Sequence, residues 1–311
     1  ERSGRTFRGA DTPEILLRQA LSTSDFPALL GDTLGKAMRM GQESEPASHR
    51  VWCAITEAAD FRTLSRVILG SAPDLEEVAE LGEYTNGPFT EDKTTLTPKK
   101  FGRLVSISWE SLLADNLGAF VGMGRSFGQA AMRAEADAIY NALVANALDG
   151  PNLLDGVALF HSSRNNAVTG GANLDATSLG AARAKLRRQT NTGGGLLNLS
   201  ARFLLVPPEL ETAAEMLVAA SSVHGVGSST EAGTPAWISN LTVVAEPRLQ
   251  STSTVYLVAD PNIIGTGEVA IVGGEPTIEE IEEKKSDKLT WKVRHAFAAG
   301  FIDFRGIVKL T

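Results

Sequence analysis

Residues 117–146 have the spacing and composition of one long helix. Their small and apolar side chains recur every three or four positions and so fall on one helix face. They are Phe120, Met123, Gly124, Phe127, Ala130, Ala131, Ala134, Ala138, Ala142 and Ala145. Asp115 and Asn116 provide N-cap chemistry at the start, while Arg133 and Asp137 are spaced to pair across one turn. At 1.5 Å per residue such a helix is roughly 42 Å long, so we predict a spine that crosses the molecule.

The charge balance limits the classes of function that the chain can have. Its 311 residues contain 29 lysines and arginines against 37 acidic residues, for a net charge of -8. Proteins that grip nucleic acid usually carry a basic face, so this balance argues against that class. It remains compatible with a protein that encloses nucleic acid without adhering to it. No run of about 20 apolar residues occurs, which predicts no membrane-spanning helix.

Two regions have too few large apolar residues to form a core of their own. We predict that residues 1–50 form an extended N-terminal arm with weak helical patches at 12–21 and 26–40. Residues 73–100 are acidic around a turn signal at Asn86-Gly87-Pro88, which predicts a projection with two legs. Ten residues per leg would reach about 33 Å. Loops of this length in a compact domain are often binding elements.

The rest of the chain predicts a mixture of helices and strands. A buried strand at 203–206 precedes a helix that starts at Pro208, and three more strands follow within an α+β body at 198–272. A short basic helix is expected at 179–189, with Asp175, Thr177 and Ser178 as candidate caps. The C-terminal region alternates apolar and polar residues, which predicts two or three long antiparallel strands. The alternating residues are Leu289, Trp291, Val293, His295 and Phe297, and in the opposite register Phe301, Asp303 and Arg305.

No motif for catalysis, a cofactor or a metal stands out. The four histidines have no ligand spacing. His161 beside Ser162 and Ser163 could be imagined as a base with a nucleophile, but the Gly-x-Ser-x-Gly pattern is absent. Cys53, the single cysteine, is most simply a buried hydrophobe. We therefore predict that the protein is not an enzyme and has no catalytic, cofactor-binding or metal site.

Eight segments between about Phe26 and Gly306 occur together in a fixed order. They are PALLGDTLGKAM, ADFRTLSRVILGSAPDLEEVAELGEY, ISWESLLADNLGAF, DGVALFHSSRNN, RFLLVPPELETAAEMLV, VVAEPRL, YLVADPN and KVRHAFAAGFIDFRG. In this order they resemble the Mu-like prophage major head subunit, a branch of the tailed-phage major capsid proteins. The resemblance implies an α+β chain with the Hong Kong-type capsid fold. It assigns 1–50 to the N-terminal arm, 76–100 to the extended loop, 198–272 to the axial domain, and 51–75, 101–197 with spine helix 117–146, and 273–311 to the peripheral domain.

The resemblance also implies a function. The chain would be a major capsid protein that assembles into hexamers and pentamers of an icosahedral shell around phage double-stranded DNA. Its partners would be other copies of itself, the portal protein, and a prohead protease and scaffold during assembly in the bacterial host cytoplasm, with the virion as its final location and no membrane partner. A start at Glu1 instead of Met fits a protease-trimmed chain, although an artificially shortened chain would look the same.

The expected contact residues fall into two sets. Residues of the extended loop predicted to contact a neighbouring subunit are Glu83, Tyr84, Phe89, Lys93 and Lys99. Candidates for contact with DNA are Arg2, Arg5, Arg8, Arg183, Arg187 and Arg188, although a solvated helix face is the simpler interpretation of the last three. Two alternatives remain open at this point. One is an encapsulin-like compartment that stores a cargo enzyme, and the other is a soluble hydrolase that uses His161.

Overall fold

The computed structural model describes residues 25–69, 91–108, 117–170, 174–222, 235–281 and 288–311. Within these ranges the chain is α+β, as predicted. The described residues form two compact units. The first is drawn from 25–46, 100–133 and 275–295, and the second from 47–99, 134–274 and 296–311.

The helices and strands are numbered in chain order. The helices are α1 (Asp25–Ser44), α2 (Ser48–Trp52), α3 (Leu117–Leu148), α4 (Ala176–Arg187) and α5 (Pro208–Ser222). The strands are β1 (Ala54–Ala58), β2 (Leu64–Leu69), β3 (Glu91–Leu96), β4 (Lys99–Ser108), β5 (Ala167–Val168), β6 (Ala201–Val206), β7 (Thr242–Ala245), β8 (Val255–Ala259), β9 (Gly267–Val272), β10 (Thr277–Ile281), β11 (Lys288–Phe301) and β12 (Ile307–Leu310). None of the helices in the described part of the chain has the length and apolar composition needed to cross a bilayer.

In the first unit, helices α1 and α3 approach closely because glycines occupy their contact. An added Cβ on Gly41 would lie 2.1 Å from the carbonyl oxygen of Arg125, and one on Gly128 would lie 2.0 Å from that of Met38. The expectation of only a weak helical patch at 26–40 is wrong, because α1 is a helix of 20 residues. Glycine lowers intrinsic helix propensity and weakens the sequence pattern, whereas packing on α3 stabilises the helix.

Strands β10 and β11 of the first unit are antiparallel, as predicted. β10 pairs with the first half of β11, with Ile278 opposite Val293, and β4 pairs with β11 as well. Glu279 contacts Lys292 at 2.6 Å and also Arg294, which gives this pair of strands a charged face. Residues 282–287, between β10 and β11, lie outside the described ranges.

One sheet of the second unit brings together distant parts of the chain. β1 runs parallel to β9, with Ile55 opposite Val269, and β9 runs antiparallel to the second half of β11. β9 is a strand as predicted, but it pairs with these strands and not with those of the 201–259 region. Both of its faces are covered, since Val269 packs near Ala138 of α3 and Ala270 packs with Leu96 of β3. Pairing between segments this far apart cannot be recognised from local periodicity.

The other sheet of the second unit has the strand order β5-β12-β8-β6-β7. One face packs on α4 and α5 through residues such as Leu186, Leu204 and Ala214. The opposite face packs on Trp52 and Tyr140. The predicted strand alternation at Phe301, Asp303 and Arg305 is wrong: β11 ends at Phe301, and the Asp303 carboxylate accepts a hydrogen bond from the Arg305 backbone N–H at 2.9 Å. That local contact closes a turn that leads into β12. The residues of the turn happen to alternate at the two-residue spacing that is typical of a strand.

Helix α3 covers the segment predicted to be a spine, but its buried face is different. The buried side chains include Met132, Glu135, Ala136, Ile139, Tyr140, Leu143 and Val144, whereas Ala130 is exposed. The predicted pair between Arg133 and Asp137 is replaced by two others. Arg133 lies 3.3 Å from Glu45, and Asp137 accepts a hydrogen bond from Arg248 at 2.5 Å. Asp115 and Asn116, the predicted caps, lie outside the described residues.

Candidate functional site

The root of the predicted projection is an antiparallel pair of strands in the second unit. β2 and β3 pair from Leu64 opposite Leu96 to Leu69 opposite Glu91, so they form two legs on either side of residues 70–90. Of the predicted neighbour-contact residues, Lys93 lies on β3 opposite Val67, and Lys99 begins β4. Both lysines are exposed. The others, Glu83, Tyr84 and Phe89, lie outside the described residues.

Three contacts fix this hairpin root to the body of the second unit. The Arg66 guanidinium donates to the Glu268 carboxylate at 2.9 Å and to the Thr56 hydroxyl at 3.0 Å. Thr94 of β3 donates its hydroxyl to the backbone carbonyl of Ile302 at 3.0 Å. Leu96 is buried in the cluster beneath β3. A root held by a largely buried ion pair and by apolar packing gives residues 70–90 a rigid starting point.

A cleft of about 270 Å³ opens beside β3. Arg164 and Arg305 both stack on Phe304 in its wall, with their guanidinium carbons 4.3 and 4.9 Å from the ring centroid. Arg164 Nη2 donates to the Asp155 carboxylate at 2.7 Å, and Arg305 Nη1 donates to the Asp303 carboxylate at 3.0 Å. The sequence patterns did not single out Arg164, whose buried side chain lies at the end of a short 3-10 helix. A helix of three residues has no periodicity that could indicate burial.

Of the three candidate caps of helix α4, Asp175 is the residue at the N-cap. Asp175 accepts a hydrogen bond from the Ser178 backbone N–H at 2.7 Å, which completes a capping box and lowers the pKa of the Asp175 carboxyl. The basic residues of α4 lie in two environments, one packed against the fold and one exposed.

Arg183 stacks on Trp237 at 4.6 Å, and burial lowers the pKa of its guanidinium.

The Lys185 ammonium group donates a hydrogen bond to the carbonyl of Ala167 at 2.7 Å, so it has a partner within the fold. Arg187 and Arg188 are exposed. Of the predicted DNA-facing residues in the described part of the chain, these two are therefore accessible to a phosphate and Arg183 is partly withdrawn. Arg2, Arg5 and Arg8 lie outside the described residues.

His161 and Ser163 do come together, but as a helix cap. His161 Nδ1 lies 2.7 Å from the Ser163 hydroxyl and accepts a hydrogen bond from the Ser163 backbone N–H at 3.2 Å. This caps the short 3-10 helix Ser162–Arg164. Because Nδ1 serves the backbone, the arrangement is that of a local turn and gives no support to a hydrolase. Among the described residues no group of three or more His, Cys, Asp or Glu side chains could hold a metal ion.

Comparison with known proteins identifies the fold. Among solved structures, similar chains come from Microbacterium phage Oxtober96 (12% identity, TM-score 0.58, covering 86% of this chain and 91% of that chain) and Mycobacterium phage Adephagia (11%, 0.55, 86% and 90%). Another is the crystal structure of a virus-like particle from Pyrococcus furiosus (10%, 0.54, 90% and 98%). The search of curated proteins gave no match.

These likenesses define the class of fold, and the predicted Hong Kong-type capsid fold is confirmed. A sequence profile of the family described as phage capsid protein matches residues 91–310. The chain belongs to the phage capsid protein family. The predicted function, a major capsid protein that forms an icosahedral shell, is confirmed at this level. Such a protein associates with copies of itself and is located in the capsid of the virion.

Proposed function

We propose that the chain is the head subunit of a Mu-like tailed phage, and that it assembles into hexamers and pentamers around double-stranded DNA. The hairpin root carries this proposal. β2 and β3 are anchored to the body by Arg66 and Thr94, and 21 residues, five of them acidic, separate the two strands. A rigidly anchored pair of strands with such an intervening segment suits contact with another subunit.

The domains follow the same proposal. Residues 1–50 serve as the N-terminal arm, 76–100 as the extended loop and 198–272 as the axial domain. The peripheral domain is made of 51–75, 101–197 and 273–311. With an arm and a loop that both extend to neighbours, subunits can close into rings through head-to-tail contacts. Each subunit would then bury more surface area than a standard protein interface does.

The extended loop reaches an adjacent subunit in this proposal. Glu83, Tyr84, Phe89, Lys93 and Lys99 supply charged and aromatic contacts there. The exposed positions of Lys93 and Lys99 at the root support this assignment. Aromatic residues such as Tyr84 and Phe89 are typical anchors of protein interfaces.

Contact with packaged DNA is occasional and not specific. The net charge of -8 supports a wall that confines DNA without adhering to it. Arg187 and Arg188 of α4, with a smaller contribution from Arg183, and the arginines at 2, 5 and 8 supply the phosphate contacts. The portal protein and a prohead protease with its scaffold act during assembly in the host cytoplasm. The protein performs no catalysis, which the capping role of His161 supports.

The experiment is a loop replacement that leaves the root intact. Thr94 and Leu96 of β3 pack on the body, so the deletion should remove only residues 72–89 and join the strands with a short Gly-Ser turn. The variant is expected to remain folded by circular dichroism and to form no closed shells by negative-stain microscopy. The matched control is the Arg187→Gln variant, which should still form shells. Normal particles from the loop variant would contradict the proposal.

A second function, a shell that stores protein cargo, is kept because the fold also matches the virus-like particle from Pyrococcus furiosus. The two candidate functions predict different contents for the particles. Particles purified after nuclease treatment should contain DNA if the chain is a phage head subunit. Particles that hold protein and no nucleic acid would favour the compartment.

A further inference from the structure

The C-terminal end of helix α3 turns in the left-handed sense over three consecutive residues. Asn146, Ala147 and Leu148 have φ angles of 51°, 54° and 73°. Ala145 before them is extended, with a ψ of 164°, so the right-handed helix stops there. The left-handed region is unfavourable for residues other than glycine and asparagine, because Cβ approaches the following carbonyl oxygen. Ala147 and Leu148 therefore make this a strained turn.

The local sequence does not require a left-handed turn at this point. Residues 141–148, NALVANAL, contain no glycine or proline, and alanine and leucine are among the strongest helix formers. A helix commonly ends with a single left-handed residue, usually glycine or asparagine, and Asn146 alone would meet that need. The other non-glycine residues with positive φ in the described part of the chain are Asn165 and Asn198. The sequence thus favours a right-handed helix as far as Leu148.

Lys309 of β12 holds the strained turn in place. Its ammonium group donates to the backbone carbonyl of Leu148 at 3.1 Å and to the Asp149 carboxylate at 2.6 Å. The Lys309 side chain is 9% exposed and lies 5.4 Å from the centroid of the Phe160 ring. A cation buried to this extent depends on its acceptors, and the Leu148 carbonyl is one of them. Because β12 lies between β5 and β8, the sheet fixes the position of Lys309.

The turn sets the direction in which the chain leaves α3. Asn146 Nδ2 donates to the carbonyl of Gly150 at 2.7 Å, and the Gly150 N–H donates to the carbonyl of Ala145 at 3.0 Å. Gly150 has a φ of 74°, and an added Cβ there would lie 2.7 Å from the Cβ of Leu159. The chain then enters residues 153–155, which line the cleft beside β3. The shape of that cleft wall therefore depends on the turn.

We propose that residues 145–148 form a conformational switch with two states, and that Lys309 sets the left-handed state. Without the ammonium group these residues join α3 as a right-handed turn, which lengthens the helix by roughly 6 Å at 1.5 Å per residue. Residues 153–155 then leave the wall of the cleft. Before β12 is inserted the right-handed state is favoured, so the last strand of the chain reshapes the end of α3. This inference does not depend on the proposed function.

The first test compares one substitution at two exposed alanines of α3. Ala147 has a positive φ, whereas Ala130 lies in the right-handed part of the helix. Glycine adopts positive φ without a steric penalty, so Ala147→Gly should raise the midpoint of thermal unfolding by about 2 °C. Ala130→Gly is the control and should lower the midpoint by about the same amount, because glycine is a poor helix former. A midpoint that is unchanged or lower in Ala147→Gly would overturn the proposal.

The second test determines whether Lys309 holds the turn. Lys309→Met keeps an apolar side chain and removes the ammonium group. In that background residues 145–148 are right-handed, so the addition of Ala147→Gly should lower the midpoint instead of raising it. Each comparison is made within one background, so a general loss of stability from Lys309→Met does not affect the sign. The same rise in both backgrounds would overturn the role of Lys309.

A second background protects this test against misfolding of Lys309→Met. Asp149→Ala removes one of the two acceptors of Lys309, from a side chain that is 52% exposed. The rise caused by Ala147→Gly should then fall to less than half of its value in the unaltered chain, and an undiminished rise would also exclude Lys309 as the residue that holds the turn. All of these measurements use the full-length chain as unassembled subunits, followed by circular dichroism, so their outcome is independent of shell formation.

Discussion

Arg50 of α2 donates two hydrogen bonds to the carboxylate of Glu135, which lies in the middle of α3. Arg50 Nε and Nη2 donate to Oε2 and Oε1 at 3.0 and 2.9 Å. The Glu135 side chain is 0% exposed and that of Arg50 is 28% exposed, and His49 Nε2 lies 3.0 Å from the same carboxylate. Because this carboxylate is so deeply buried in the second unit, the stability of the folded state depends on the groups that pair with it.

Arg50→Ala should therefore destabilise the subunit strongly. The substitution removes two hydrogen bonds from the buried Glu135 carboxylate, and we expect a loss of about 3 kcal/mol in the free energy of unfolding. Urea unfolding of unassembled subunits measures it. The control is Arg133→Ala on the same helix, whose pair with Glu45 at 3.3 Å is exposed and should cost less than about 1 kcal/mol. Equal losses in the two variants would show that burial does not decide the strength of the Arg50 pair.

Gly128→Ala should weaken the packing of α1 on α3. Its new methyl group would meet the Met38 carbonyl oxygen at 2.0 Å, and the resulting displacement should cost about 2 kcal/mol. Gly122→Ala on the same helix is the control, because nothing lies within 4 Å of its Cβ position. That variant should be neutral or up to about 1 kcal/mol more stable. Thermal unfolding of both variants separates the two effects, and a stabilised Gly128→Ala would refute the close approach.

The Asp175 cap should give α4 a stability that depends on pH. The pKa of the Asp175 carboxyl is lowered from its ordinary value of 3.8 by the Ser178 N–H, so the charged cap stabilises the folded state above that value. Asp175→Ala should lose about 1 kcal/mol at pH 7. The loss should shrink as the pH falls through the lowered pKa, where the native carboxyl also becomes protonated. Asp175→Asn keeps a neutral cap and should show less of this dependence, as urea unfolding at several pH values would reveal.

Cys53 should not react in the folded protein. It is buried, and burial raises the pKa of its thiol well above 9.0, so almost no thiolate is present at pH 8. A maleimide reagent followed by mass spectrometry should add nothing under native conditions. In denaturant it should add one group per chain. Rapid labelling of the native subunit would contradict the packing around Trp52 and Cys53.

Local signals were sufficient for several elements. The Asp175 cap, the strand before Pro208 and the long helix around Ala138 are where sequence patterns predict them, because each depends on residues close together in the chain. Helix α1 was underestimated, since Gly41 contributes by lacking a side chain, and periodicity counts only the side chains that are present. The pairing of β9 with β1 joins segments more than 200 residues apart, which no local pattern encodes.

Buried charged residues were harder to predict from the sequence, for a different reason. Glu135 falls four residues after Ala131 and three before Ala138, so its place on the helix face was available from spacing alone. It was overlooked because a glutamate in a helix is usually solvated. Arg164 is harder, since its burial depends on Phe304 and Asp155, and a helix of three residues offers no periodicity from which to infer it. A projection was predicted from composition between residues 73 and 100, but its first strand at 64–69 and its anchors at Arg66 and Thr94 were not predicted.

Strand β12 has a consequence for the order of events during protein synthesis. It pairs with β8 on one side and β5 on the other, so the sheet has a gap until residues 307–310 have left the ribosome. A nascent chain that lacks them exposes the unpaired edge of β8, which can join strands from another polypeptide. This sheet is therefore complete only after β12 has been synthesised, and a capsid subunit becomes competent to join a new particle only once that strand has been inserted between β5 and β8.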